Sequence, residues 1–239
     1  MTRLVVVFSL YLIIVPVSAS DSQIEIGSQN FFWNEIDAGT EILSENGQRT
    51  LLTYQIGNTN GAIRRTTRAS IYLGDVNYDG MLNGAPYTTI SGYTGFAVEK
   101  GWQLRLIDTS VQIYTDLSLG LDIWNRELDK GGNFGYTETY GLLFSRWGYG
   151  IHYYGWYAKT GLSFPWFVHE HVNLGLDLLP VPRPSAYTEF GFQDENFGLV
   201  FYTEGYRFAE SPPAPFNGNN YVQPASNMSI AGVRIIYRF

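Results

Sequence analysis

The chain has 239 residues, no cysteine, 26 glycines and a 16% share of Phe, Trp and Tyr, while charged residues make up only 15%, against ~25% in typical globular domains. The absence of cysteine excludes a disulfide scaffold and a thiolate metal site, and the aromatic content excludes a disordered chain. The formal net charge of −7 argues against a nucleic-acid partner, because nucleic-acid-binding proteins carry a basic surplus.

The first nineteen residues have the pattern of a secretory signal peptide. Arg3 precedes an apolar run over residues 4–17, and the small side chains of Val17 and Ala19 stand at the −3 and −1 positions of a cleavage site. The run is shorter than the ~18–20 residues that a spanning helix needs, which disfavours the alternative of a membrane anchor. We therefore predict an exported chain, cleaved after Ala19.

Residues 20–48 form an N-terminal segment with one candidate strand at 24–33, and we predict the main domain at 49–239. Alternation of apolar and polar residues dominates that domain, most clearly over 111–127, and such a period of two indicates strands. The sequence predicts ten strands, with eight or twelve as alternatives: 50–57, 66–74, 87–98, 111–126, 136–149, 152–163, 171–179, 185–193, 198–208 and 228–239.

One segment resembles the first half of a calcium-binding loop. Asp75, Asn77 and Asp79 supply oxygen ligands at positions 1, 3 and 5, and Gly80 follows at position 6. Position 12 is Pro86, however, which offers no carboxylate. The alternative is an ordinary Asn/Asp/Gly turn between two strands.

Two histidines form a second candidate metal site. His169 and His171 are two residues apart, so a strand would place both imidazoles on one face, where they could chelate a metal ion. A third ligand is needed, and His152 is the remaining histidine. The alternative is a polar strand end beside Trp166 and Phe167.

The C-terminal strand alternates in the same way and ends on an aromatic residue. Val233, Ile235, Tyr237 and Phe239 share one face. Together with the signal peptide and the long run of alternation, this ending resembles the superfamily of small Gram-negative outer-membrane β-barrel proteins. The resemblance implies an all-β fold, an antiparallel up-and-down transmembrane barrel of about ten strands in the outer membrane. It also implies that these four residues form a signal for the barrel-assembly machinery, and that the partners are this machinery and outer-membrane lipid.

The composition agrees with a barrel, which needs aromatic girdles, an apolar outer face and few charges. Residues 20–48 would then be an extra strand or a periplasmic lead-in. Loop 209–227 would be extracellular and turn 194–197 periplasmic, because periplasmic turns are short. A soluble β-sandwich, which also alternates, is the competing fold.

The charged residues of the predicted strands fall on polar faces and would line the lumen. Unpaired charges there are costly, so we expect salt bridges, first of all between Arg126 or Arg146 and Asp122 or Glu138. The predicted lumen residues are Asp116, Asp122, Arg126, Glu138, Arg146, Lys159, Arg234 and Arg238.

Three functions remain open at this point. The first is a barrel with a charge-filled lumen and a structural or surface-interaction role; the second is a narrow porin-like channel. The third is a barrel hydrolase acting on lipid or peptide, although the sequence has no G-x-S-x-G motif around Ser145, Ser163 or Ser185. No cofactor is expected, and the sequence does not predict an oligomeric state.

Overall fold

A computed structural model describes residues 21–82, 85–130, 132 and 135–239. The predicted signal peptide lies outside these residues. The described chain is an all-β, closed, antiparallel barrel of ten strands. No helix in these parts of the chain is long and apolar enough to cross a membrane.

Seven long strands follow one another around the barrel, each paired with the next. They are β1 (Asp21–Asp37), β2 (Thr40–Asn60), β3 (Ile63–Leu82), β4 (Ala85–Asp108), β5 (Val111–Glu127), β6 (Thr137–Tyr153) and β7 (Trp156–Val172).

The eighth position in the barrel wall is an interrupted strand, made of β8 (Leu176–Leu178), β9 (Val181–Arg183) and β10 (Ser185–Gln193). Pro180, Pro182 and Pro184 lie between or within these pieces, and proline cannot donate to a strand ladder. As a result β8 and β10 pair with β7, whereas β9 and β10 pair with β11 (Phe197–Ala209).

The last strand closes the barrel. It is β14 (Ala225–Arg238), which pairs with β11 on one side and with β1 on the other. A small hairpin of β12 (Ala214–Phe216) and β13 (Asn219–Tyr221) lies in the connection between β11 and β14.

The two ends of the barrel differ in their connections. At the end that holds Asp21 and Phe239, here called the termini end, the connections at 61–62, 109–110, 154–155 and 194–196 are short. Tyr154 and Gly155 both have positive φ, as the tight two-residue turns of right-twisted hairpins require. The opposite end, here called the loop end, carries the longest connection, residues 210–224.

The distribution of polarity is inverted relative to a soluble protein. On β5 the outward residues Leu117, Leu119 and Ile123 are exposed, whereas Asp116 and Asp122 point inward and are buried. The outward positions of the other strands likewise form an apolar band. Lys100 interrupts this band: it is exposed, and the outward neighbours on β4 are Val98 and Trp102. An apolar outer face around a polar interior is the arrangement of a barrel in lipid.

The strand count of ten is confirmed, but several of the predicted boundaries were wrong. The predicted strands 66–74 and 87–98 end too early, since β3 extends to Leu82 and β4 to Asp108. The barrel begins at Asp21, not at residue 49, because residues 20–48 contain β1 and half of β2. The predicted strand 171–179 is instead a turn at 173–175 between β7 and β8. The predicted break at 150–151 lies at 154–155, so β6 extends to Tyr153.

Candidate functional site

The lumen at the loop end is built around one buried arginine. Arg126 on β5 is 1% exposed. Its Nη1 lies 2.7 Å from Glu138 Oε2 and 3.3 Å from Glu35 Oε1, and its Nε lies 3.0 Å from Glu45 Oε2. These carboxylates come from β6, β1 and β2, so a single guanidinium ties four strands together. Burial of these charges requires such pairing, since an isolated ion in this position would be very costly.

An aromatic layer fills the lumen beside this cluster. The rings of Trp124 and Tyr140 stack with centroids 4.9 Å apart, and Trp33 packs against Tyr140 at 5.6 Å and against Phe208 at 6.1 Å. Trp33, Trp124 and Tyr140 are each 1% exposed. These side chains come from β1, β5, β6 and β11 and pack against one another inside the lumen.

The connection 210–224 adds a further cover at this end. Gln223 is buried and donates from Nε2 to Glu35 Oε1 at 3.1 Å. Its backbone N–H donates to Ser211 Oγ at 2.8 Å, and its carbonyl accepts from the Ser211 N–H at 3.0 Å. The connection is therefore anchored on the same carboxylate that contacts Arg126.

The middle of the lumen is narrower and holds two more arginines. Arg146 donates to Glu99 at 3.0 Å, to the Tyr206 hydroxyl at 3.0 Å and also to Glu204. The Arg49 guanidinium lies 4.4 Å from the ring centre of Phe31 and 4.5 Å from that of Tyr72, a cation–π arrangement. The remaining cavity here has a volume of only about 80 Å³.

Toward the termini end the lumen widens into a polar vestibule of about 400 Å³. Arg234 bridges Glu25 at 3.1 Å and Glu189 at 2.9 Å, and Arg68 donates to Glu25 at 2.8 Å. Lys159 lies 3.0 Å from Asp116. The vestibule is therefore lined by paired charges, and it ends at the filled middle section.

The structure brings some of the predicted lumen residues together and separates others. Arg126 contacts Glu138, as expected, whereas Arg146 pairs with Glu99 and Glu204 rather than with Asp122. Asp122 instead accepts a hydrogen bond of 2.7 Å from the Tyr72 hydroxyl. Asp116, Lys159 and Arg234 lie in the vestibule. Arg238 lies at the termini end, where its Nη1 donates to the Asp194 carbonyl at 3.1 Å.

Sequence reasoning missed the acidic partners on the first two strands, Glu25, Glu35 and Glu45. A signal existed, because Glu25 alternates with Ile24 and Ile26 in the candidate strand 24–33. The ten predicted strands begin at residue 50, so the predicted lumen does not include the carboxylates on β1 and β2 that pair with Arg126 and Arg234.

The residues of the predicted calcium loop are part of a strand. Residues 75–80 belong to β3, where Asp75, Asn77 and Asp79 are exposed on the outer face and paired in register with β2 and β4. An extended strand spreads these side chains along the surface, so they cannot wrap around a calcium ion as an EF-hand loop does. Asp75 instead accepts a 2.7 Å hydrogen bond from Lys130.

His169 and His171 point outward near the loop end of β7 and share one acidic neighbour. Asp177 Oδ1 lies 2.8 Å from His171 Nδ1 and 3.3 Å from His169 Nε2. No group of three or more His, Asp or Glu side chains in the described part of the chain is arranged to hold a metal ion. His152, the third histidine, lines the vestibule at the other end.

Two of the serines considered for a hydrolase, Ser145 and Ser185, form hydrogen bonds with groups other than histidine. Ser145 Oγ accepts from Trp166 Nε1 at 2.9 Å, and Ser185 Oγ donates to the Gly205 carbonyl. Within the described residues, no serine hydroxyl is hydrogen-bonded to a histidine, the arrangement that activates a nucleophilic serine.

Three of the predicted assembly-signal residues lie on the outer face of β14, and Phe239 follows directly after its end. Ile235, Tyr237 and Phe239 are more than half exposed, and Val233 shares their face. β14 is the strand that closes the ring between β11 and β1. Recognition of this strand by an assembly machinery stays a prediction.

Comparison with solved structures shows which known fold the chain has, whereas comparison of sequences finds no match. No family model matches the chain, and no curated protein sequence matches it. Among solved structures, the outer membrane protease OmpT from Escherichia coli has a TM-score of 0.52 at 8% identity, over 93% of this chain and 98% of that one. The chain has the fold of the outer-membrane β-barrel proteins. At this identity the likeness concerns the fold alone.

Two further structures are similar at lower scores. An outer membrane channel from Pseudomonas putida F1 has a TM-score of 0.47 at 8% identity, covering 92% of this chain and 95% of that one. The transport unit of the autotransporter AIDA-I from Escherichia coli has a TM-score of 0.45 at 9% identity, covering 97% and 94%.

Proposed function

We propose that the chain is an integral outer-membrane protein whose lumen is closed and which has a structural or surface-interaction role. The observation that carries this proposal is the filled loop end, where Trp33, Trp124 and Tyr140 pack across the lumen beside Arg126 and its three carboxylates. The side chains of this layer are almost fully buried and tightly packed, which supports a lumen that a solute from the vestibule does not cross.

The proposed orientation has the loop end outside the cell and the termini end in the periplasm. Short turns at the termini end support it, because periplasmic turns of outer-membrane barrels are short and extracellular loops long. The apolar outer band supports a lipid environment, and the signal peptide predicted at residues 1–19 would export the chain. Insertion would then use the assembly machinery and the C-terminal residues described above.

Planar-bilayer recording tests the closed lumen. We expect no conductance steps from the wild-type chain, because the aromatic layer blocks the passage. The matched variant is a Trp33→Ala, Trp124→Ala, Tyr140→Ala triple substitution, which removes the layer while keeping the outer face unchanged. The filled middle section around Arg146 and Arg49 remains in this variant, so we expect it to stay closed as well. A porin reconstituted in the same bilayers shows that the assay detects an open barrel. Conductance steps in the wild-type protein would overturn the proposal in favour of a channel.

The orientation can be tested with single cysteines, because the chain has none of its own. Asn219→Cys lies in the exposed β13 hairpin at the loop end, and Thr109→Cys lies in an exposed turn at the termini end. On intact cells, a membrane-impermeant maleimide should label the first and spare the second. The opposite pattern would reverse the proposed orientation, and recovery of the protein in the detergent-free soluble fraction would refute the membrane assignment.

A further inference from the structure

The outer face of the barrel carries a groove near the loop end. It crosses β7, β10, β11 and β14 and has a volume of about 500 Å³. Its outward lining is mostly small: Ala186, Gly205 and Ser229, with Leu162 on one side and with Arg207 and Asn227 at the loop end. Small residues create the depression, since the neighbouring outward positions on the same strands hold large side chains such as Phe190 and Phe201.

Two arginines stand directly opposite each other at the head of this groove. Arg183 on β9 and Arg207 on β11 are register partners, and both are exposed. Like charges directly opposite each other on one sheet face destabilise the pairing. Neither guanidinium forms an ion pair with a carboxylate within the described residues. The two guanidinium groups therefore place two positive charges, without a carboxylate partner, side by side at the head of the groove.

Along the barrel axis, the arginine pair lies at the edge of the apolar band. Along β11 the outward positions from Phe197 to Phe201 are apolar, Thr203 and Gly205 follow, and Arg207 comes next. A strand tilted by about 40° rises ~2.5 Å along the barrel axis per residue. The ten positions from Phe197 to Arg207 thus span ~25 Å, the usual height of the lipid-facing band. Arg207 lies where the headgroups of the outer leaflet would be.

We infer that the groove and the arginine pair form a site for a phosphate-bearing acyl lipid. An acyl chain would lie against Ala186, Gly205 and Leu162, and the phosphate would lie between Arg183 and Arg207. Guanidinium groups bind phosphate oxygens through paired, charge-assisted hydrogen bonds, and the anion would relieve the repulsion between the two arginines. This inference rests on the proposed membrane location.

Variants can separate the two halves of the site. An Arg183→Gln, Arg207→Gln double substitution removes the charges and keeps polar side chains of similar length. Gly205→Leu fills the groove without changing any charge, and it should be tolerated because a Cβ at this position meets its nearest atom, Met228 O, at an ordinary 3.5 Å. Arg65→Gln is the matched control, because Arg65 is also exposed on the outer face but lies near the termini end.

The experiment is native mass spectrometry of the full chain in detergent micelles. The probes are diacyl phosphatidic acid, diacylglycerol with the same chains, and inorganic phosphate. We expect one bound phosphatidic acid per barrel and at least tenfold less diacylglycerol. The double variant should bind phosphatidic acid about tenfold less, because the charge-assisted hydrogen bonds to the phosphate are gone. Gly205→Leu should also bind it about tenfold less, because the leucine side chain occupies the place of the acyl chain. Arg65→Gln should bind as the wild type does.

Several results would overturn the inference. Equal binding of phosphatidic acid and diacylglycerol would show that the two arginines do not bind the phosphate. Full binding of phosphatidic acid by Gly205→Leu would show that the groove does not hold the acyl chain. Displacement of phosphatidic acid by an equal concentration of inorganic phosphate would show that the arginine pair binds a free anion and not a lipid. A wild-type barrel that shifts mobility on heating in detergent gels but binds no lipid refutes this inference alone. A chain without that shift refutes the proposed function as well.

Discussion

Replacing Arg126 by methionine tests the charge network at the closed loop end. Methionine is of similar length and can pack against Trp33, but it carries no charge. The substitution leaves the carboxylates of Glu35, Glu45 and Glu138 without the guanidinium that lies within 3.3 Å of each. We expect a clear loss of stability with the barrel fold retained.

The expected loss of stability depends on the hydrogen bonds that the carboxylates still accept when Arg126 is absent. Removing one partner of a buried ion pair costs ~3–5 kcal/mol. Glu35 still accepts from Gln223 at 3.1 Å and from Trp33 at 3.2 Å, and Glu138 still accepts from Tyr140 at 3.1 Å. Because these hydrogen bonds remain, the loss is mainly that of charge compensation. We therefore place the cost at the lower end, ~3 kcal/mol.

The assay is equilibrium urea unfolding of the protein in phospholipid vesicles, followed by tryptophan fluorescence. Arg105→Met is the matched control: it breaks the surface pair of Arg105 with Asp108, and exposed pairs contribute only ~0–1 kcal/mol. Adding Glu138→Gln to Arg126→Met should recover part of the loss, because one unpaired charge is removed. A cost below 1 kcal/mol for Arg126→Met would refute the view that a charged network holds the loop end together.

Three further predictions concern other parts of the barrel. With the barrel in the membrane as proposed, Lys100→Leu should raise the free energy of unfolding in vesicles by up to ~2–4 kcal/mol, the cost of an outward lysine near the bilayer midplane; unchanged stability would place Lys100 outside the lipid band. In the exposed turn after β10, the backbone N–H groups of Phe197 and Asn196 donate to Asp194 and hold the pKa of its carboxyl below the usual range. The turn should therefore keep this stabilisation at pH values above the ordinary pKa of a carboxyl group and lose it as the pH falls through the lowered pKa of Asp194. NMR titration of the Phe197 amide in micelles measures this pKa. A midpoint at the ordinary carboxyl pKa would contradict the prediction. Gly161→Ala should lower the free energy of unfolding in urea by ~1–3 kcal/mol through overpacking, because its Cβ would clash with the backbone oxygen of Trp147 on β6. Gly141→Ala, with nothing within 4 Å of its Cβ, should change that free energy little.

The barrel could be predicted from the sequence wherever the simple rule of apolar outside and polar inside holds along a whole strand. On β5 the rule holds from Asp116 to Ile123, where the four inward positions are polar or small and buried and the outward positions are apolar; it reverses only at Trp124, which points inward. On β1 the rule holds at Glu25 but reverses toward the loop end, where Phe31 and Trp33 point inward and Asn30 points outward. The reversal follows from the aromatic layer that fills the lumen, and it made β1 look like an irregular segment.

The salt-bridge partners were less predictable than the strands for a related reason. Which inward residues meet across the lumen depends on the tilt and stagger of the whole barrel, not on sequence spacing. Arg146 and Asp122 lie on neighbouring strands, yet Arg146 reaches Glu99 and Glu204 on other strands. Arg126 with Glu138 is the exception, since these two residues are direct register partners on β5 and β6, a local relation that hairpin pairing can reveal.

The layers of the lumen also determine from which side the interior can be reached. The cavity at the termini end has a volume of about 400 Å³, whereas the cavity in the middle has only about 80 Å³. The aromatic layer lies beyond it, toward the loop end. Any small molecule that contacts Arg234 or Lys159 must therefore enter past the termini end, whereas the buried Arg126 cluster is covered by Gln223 from the other side. Under the proposed orientation, the interior is accessible from the periplasm and the outer surface of the loop end from outside the cell. A surface-interaction role would thus fall to the loop connections and the outer wall, where the groove below Arg183 and Arg207 is found.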